Sequence, residues 1–192
     1  MRSEFGNLLK AARNLDPEAL AAIFDMFSPA LYKFISRFVH DPSMSDLIVA
    51  DVFAQLVEEF AVGNGPRSNL RSHLYRAAYQ LIVLRLGEAS PSSSLQVAIS
   101  SRQADGSELI PSEGEEQIQR QILLSTMNNE LSEDQRMVII LRFLEDFSLK
   151  ETADILGKSI SNIKVIQSRG LVRLRKALGL QHDQDPRNLL RY

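Results

Sequence analysis

The chain has 192 residues, 44% of them hydrophobic, and a formal net charge of −2. That length and apolar content suffice for one large or two small packed domains. There is no cysteine, which excludes a disulfide framework and a thiolate metal site.

The small net charge hides a segregation. Residues 1–87 carry 9 basic and 9 acidic residues, residues 88–134 carry 2 and 9, and residues 135–192 carry 11 and 6. A basic C-terminal part points to a polyanionic partner there. The apolar runs fall short of a membrane span, and Met1-Arg2-Ser3-Glu4 opens no secretory signal. A cytoplasmic chain without membrane insertion is therefore expected.

Residues 1–15 have weak periodicity and fit a short helix. Asp16-Pro17 is a helix start, a capping acid followed by proline at the first helical position. Leu20, Ile23, Phe24 and Phe27 follow as a stripe. Ser28-Pro29 repeats the start signal, and Leu31, Phe34, Ile35 and Phe38 carry the apolar side to Val39. Asp41-Pro42 ends that helix. A third helix, about Ser45 to Ala61, carries Leu47, Ile48, Val52, Leu56 and Phe60. Gly63-Asn64-Gly65-Pro66 is a loop by its residues. A fourth helix, about Ser68 to Leu86, turns Leu70, Leu74, Ala77, Ala78, Leu81 and Leu84 inward.

Residues 88–115 are rich in Ser, Gly, Pro and Glu and read as a flexible acidic linker. Domains at 1–87 and 116–192 would flank it. In the second, Ile118, Ile122, Leu123 and Met127 mark a helix. Ser132 with Gln135 forms a capping box ahead of Met137, Val138, Ile140, Leu141 and Leu144. The tail, with Leu189, Leu190 and Tyr192, fits a last helical turn. No stretch alternates at period two, so the fold expected is all-α: two small helical domains, the second with a helix-turn-helix.

That motif occupies Ser148–Lys176. Ser148 and Glu151 form a second capping box, Gly157 fits the left-handed residue that ends a helix, and Ser159 caps the next one. On that last helix Ile160, Ile163, Ile166, Gly170, Leu174 and Ala177 share one side. Ser161, Asn162, Val165, Ser168, Arg169, Val172 and Lys176 share the other. No acid lies between Ile155 and His182, whereas Lys158, Lys164, Arg169, Arg173, Arg175 and Lys176 all do. Small, polar and basic outer residues permit entry into a major groove, where cations meet phosphates.

With these residues the chain resembles bacterial RNA polymerase sigma factors of the extracytoplasmic-function group, over about Pro17–Leu86 and Ile118–Leu178. Leu131–Leu178 resembles their region 4: a helix ending Leu-Arg-Phe, an acidic turn, Ser-x-x-Glu-x-Ala, Leu-Gly and a basic helix. Ala30–Phe34, His40-Asp41-Pro42, Asp51-Val52-Phe53 and Leu74–Ala77 resemble region 2 more loosely. Leu47 and Ala50 stand where the family usually has an acid and a glutamine. His73, Tyr79, Gln80 and Leu84 stand near its usual Trp, Arg, Asn and Asp.

The resemblance implies a promoter-specificity subunit that binds core RNA polymerase and promoter DNA and is commonly restrained by an anti-sigma protein. It implies duplex reading of the upstream (−35) element by Lys158, Ser161, Asn162, Lys164, Val165, Ser168, Arg169 and Arg173. Single-strand contacts to the downstream (−10) element would come from His73, Tyr75, Arg76, Tyr79 and Arg85. Polymerase contacts would come from Asp46, Ile48, Val49 and Asp51. The departures in region 2 leave two alternatives: a sigma-like duplex-binding regulator, or an interaction module that no longer melts promoters. His40, His73 and His182 lie in separate elements without nucleophile partners, so no catalytic centre, metal site or cofactor is expected, and the chain is not an enzyme.

Overall fold

The caps read at Asp16, Ser132, Ser148 and Ser159 each open a helix, and the described residues, 2–88 and 115–180 of a computed structural model, contain no strand. The chain divides into two units, Met1–Ala98 and Ile99–Tyr192. The expected linker lies outside the described residues except at its ends, as does the tail with Leu189, Leu190 and Tyr192.

Unit 1 holds α1 (Arg2–Arg13), α2 (Pro17–Ser36), α3 (Pro42–Ala61) and α4 (Leu70–Glu88). Asp16 caps α2, its Oδ1 accepting from Ala19 N–H at 2.8 Å. Asp41 caps α3 through Ser43 N–H at 2.9 Å. Helix α2 packs on α1, α3 and α4, and α3 packs on α4. Ile23, Leu31, Phe34, Ile35, Ile48, Leu74 and Tyr75 are fully buried between them.

Two expectations for this unit are corrected, the restart at Ser28-Pro29 and the inward Leu84. No break occurs at Ser28-Pro29; α2 runs through, with Pro29 inside it. The proline leaves the Asp25 carbonyl without its helical donor, and both residues lie on the exposed side of α2, open to solvent. Leu47 is 45% exposed, because the inward face of α3 is set by Ile48, Val49, Val52, Leu56 and Phe60. Leu84 is 53% exposed, and Ile82 is the buried residue of that turn.

By length and hydropathy alone, α2 passes for a membrane span. Its Ile23, Leu31, Phe34 and Ile35 are buried among its neighbours, whereas Phe24 and Met26 are exposed.

Unit 2 holds α5 (Glu115–Glu130), α6 (Glu133–Ile139), a π-helical turn (Ile140–Leu144), α7 (Leu149–Leu156) and α8 (Ile160–Ala177). Helices α5, α6 and α7 all pack on α8. Both expected capping boxes close. Ser132 and Gln135 exchange bonds of 3.4 and 3.2 Å; Ser148 and Glu151 exchange bonds of 3.2 and 2.8 Å.

The helix expected through Leu144 is α-helical only to Ile139. A π turn follows, closed where Glu145 N–H donates to Ile140 O at 2.9 Å. Thr152 on α7 is 0% exposed, and its Oγ1 has no hydrogen-bond partner among the described residues. An unmet buried hydroxyl is destabilising. Thr152→Val, which keeps the shape and removes that demand, is expected to stabilise unit 2 by about 1 kcal/mol. The measurement is a higher urea midpoint at unchanged slope.

Candidate nucleic-acid interface

The turn between α7 and α8 is built from the residues that chirality requires. Gly157 sits at φ +63°, a conformation costly for any residue with a Cβ. Lys158 N–H then reaches back to Ala153 O at 3.0 Å. Ser159 Oγ accepts from Asn162 N–H at 3.2 Å and so caps α8; it also lies 3.0 Å from Ser161 Oγ.

Helix α8 is held to the unit by few residues. Ile163 and Leu174 are fully buried, and Gly170 packs tightly. A Cβ at Gly170 would lie 3.3 Å from Ile139 Cγ1 and 3.5 Å from Gln135 Cβ, so α6 and α8 approach closely there. Ile160 is 44% exposed, against expectation, since it stands in the first turn beyond the reach of the core. Ile166 is half-buried and Ala177 exposed, so the buried side is narrower than the sequence suggests.

Arg142 in the π turn ties this arrangement together. Its Nε donates to Gln167 Oε1 at 3.1 Å and its Nη1 donates to the Phe147 carbonyl. The π turn, the approach to α7 and the middle of α8 are thereby linked. Arg136 lies between α5 and α6, donating through Nη1 to Asn128 Oδ1 at 3.1 Å. Burial pushes its guanidinium below the usual arginine range, and the charge of Glu133 acts in the opposite direction.

The outer side of α8 is open. Ser161, Asn162, Lys164, Val165, Ser168, Arg169 and Arg173 are all exposed, as are Val172 and Lys176. Lys158 is half-buried, its ammonium 3.1 Å from Asp134 Oδ2. Arg173 Nη1 donates to Gln135 Oε1 at 3.3 Å. Neither of those α6 partners was legible beforehand. Pairs between separate helices follow from packing, which spacing along one helix does not reveal.

The surface of unit 1 is more mixed. Tyr75 is 0% exposed, with its ring 4.9 Å from that of Phe34 and the Arg71 guanidinium 5.3 Å from its centroid. It is a core residue and offers no stacking face to a base. Ile48 and Val49, at 0% and 6% exposed, are likewise core residues and present little or no surface to polymerase. Helical phase carries the signal for all three: Ile48, Val49, Val52 and Leu56 fall together, as do Arg71, Tyr75, Ala78 and Ile82.

Asp46 and Arg76 are exposed, and Tyr79 is half-buried. Asp51 and Arg85, assigned to different partners from sequence, pair with each other at 3.0 Å. His73 Nε2 lies 2.6 Å from Glu59 Oε2, while Gln55 Nε2 donates to Glu59 Oε1 at 3.0 Å. That contact fastens the start of α4 to the end of α3.

Comparison with known proteins places these features. Residues 129–176 match the family described as Sigma-70, region 4. The ECF RNA polymerase sigma factor SigX of Bacillus subtilis is 26% identical over 170 residues, covering 87% of each chain. Over most of its length the chain is similar to extracytoplasmic-function sigma factors. SigK of Mycolicibacterium vanbaalenii, also an ECF sigma factor, is 25% identical over 179 residues, 93% of this chain and 91% of that one. Among solved structures, the sigma factor RpoE of Bartonella quintana, co-crystallised with the anti-sigma factor NepR, shares the fold. Its TM-score is 0.63 at 22% identity, over 85% of this chain and 98% of that one. The matched region 4 segment spans α6, the π turn, α7 and nearly all of α8, so the open basic side lies within it.

Proposed function

We propose that this chain is a sigma factor that binds core RNA polymerase in the cytoplasm, directs initiation at specific promoters and is restrained by an anti-sigma protein. The carrying observation is the outer side of α8, exposed along its length and free of any acid from Ile160 to Ala177. Such a surface has the charge and the small profile that a major groove admits. The expectation of an anti-sigma partner draws on the relatives: RpoE was solved with NepR, and CnrH with the cytosolic domain of CnrY.

In this reading Lys164, Val165, Ser168 and Arg169 face base edges at the centre of α8. Arg169 has the forked donors for a paired contact to guanine, and Val165 the methyl groups to pack on thymine. Ser161 and Asn162 stand at the entry of the helix. Arg173 and Lys176, a turn or two further on, suit phosphates. In unit 1, Asp46 remains the exposed candidate for polymerase, and Arg76 and Tyr79 remain for the separated strand.

The exposed apolar Leu47 and Leu84 favour a second reading, a duplex-binding regulator that does not melt DNA, because melting and docking surfaces in the family are polar at these points.

With core polymerase, Arg169→Ala is expected to relax discrimination at one base pair of the upstream element by about 1–3 kcal/mol. Lys176→Ala is expected to weaken all sequences evenly. Competition among promoter variants measures both. Equal profiles for the two substitutions would contradict the proposed orientation of α8.

A further inference from the structure

Two neighbouring residues at the start of α6 each hold a cation associated with α8, and they do so with different chemistry. Asp134 Oδ2 lies 3.1 Å from Lys158 Nζ, at the entry to α8. Gln135 Oε1 lies 3.3 Å from Arg173 Nη1, in its C-terminal half. A carboxylate cancels the charge that it holds. A carboxamide oxygen fixes direction and leaves the charge intact.

Gln135 reaches Arg173 because Gly170, one turn earlier on the same side, lets α8 come close: a Cβ there would stand 3.5 Å from Gln135 Cβ. Gln135 is 9% exposed, and its side-chain oxygen also accepts from Ser132 N–H at 3.2 Å. It is therefore braced by its own helix while it holds Arg173. Asp134 is 54% exposed at the side chain, so its charge stands in solvent beside Lys158.

We infer that the first turn of α6 sets how many of these cations reach the duplex: Asp134 withholds Lys158, and Gln135 presents Arg173 charged and aimed. Asp134 and Gln135 are positioning residues, acting through Lys158 and Arg173. The inference rests on the duplex-reading function proposed above. It goes beyond that function by dividing the basic residues into one that is spent and one that is delivered.

Phosphate contact is independent of sequence, so the test needs no knowledge of the promoter. Each phosphate neutralised contributes about −0.9 to the slope of log affinity against log salt. Binding of the full chain to a short mixed-sequence duplex is titrated across salt concentrations. Asp134→Asn is expected to bind about threefold tighter or more, with a slope steeper by about one contact. Gln135→Glu keeps the reciprocal cap, since Glu closes it as well as Gln, but it pairs with Arg173. It is expected to bind more weakly, with a slope shallower by about one contact. Arg173→Ala should reproduce that loss, and adding Gln135→Glu to it should change the slope little further.

A purely structural role for these residues would move the melting temperature and leave the salt slope alone. A wild-type chain that binds with steep salt dependence, matched in slope by Asp134→Asn and Gln135→Glu, overturns the inference and spares the duplex reader. A wild-type chain with no salt-dependent duplex binding removes the duplex reader itself.

Discussion

Leu174→Ala is expected to cost unit 2 about 2–5 kcal/mol, the range for truncating a buried leucine. Leu174 is 0% exposed, and only Ile163 and the tightly packed Gly170 share with it the buried side of α8. A helix with so few anchors cannot spread the loss. The backbone of α6 and α8 is close at Gly170, one turn from Leu174, so the cavity has little freedom to collapse. Amide exchange should quicken across α8 and across the α6 and α7 surfaces that it covers. Promoter selection should fall with it, because the outer side keeps its alignment only while the inner side is seated. Val172→Ala, at a residue 58% exposed on the opposite side, is the contrasting substitution and should leave stability nearly unchanged.

The second large effect is expected in unit 1. Tyr75→Ala should destabilise it by about 3–5 kcal/mol, as removal of a buried aromatic ring does. Tyr75→Phe should cost far less, since the ring keeps its packing on Phe34 and its place beneath Arg71. Chemical denaturation of the two variants makes the comparison. A base-stacking tyrosine on the surface would give a different pattern: a folded Ala variant with normal stability and a specific loss of single-strand binding. The burial of Tyr75 predicts the first pattern.

The sequence declares its helices clearly because caps are local. Asp16, Asp41, Ser132, Ser148 and Ser159 each close a bond to an amide three or fewer residues away, and such short loops depend little on the rest of the chain. The outer side of α8 is legible for a related reason: one helix with one-sided charge defines its own exposed side. The expected failures come where phase must be judged between adjacent apolar residues. Leu47 and Ile48 look alike in a list, yet they point about 100° apart on the helix, and only packing against α2 and α4 decides which is buried. Tyr75 fails likewise, because a tyrosine suits both a core and a surface.

Pairings between helices are invisible to spacing. Asp134 with Lys158, Gln135 with Arg173, Arg142 with Gln167 and Asp51 with Arg85 join residues 24 to 38 positions apart. The π turn at Ile140–Leu144 was hidden too. Its residues suit an ordinary helix, and the widened turn delivers Arg142 to both Gln167 and the Phe147 carbonyl.

The most direct measurement is mapping of transcript starts in vitro, with purified chain and core RNA polymerase on a promoter library. Discrete starts that share one upstream element, and that redistribute with Arg169→Ala, are the expected result. Transcription no different from that of core polymerase alone, at every promoter in the library, would contradict a role in choosing promoters.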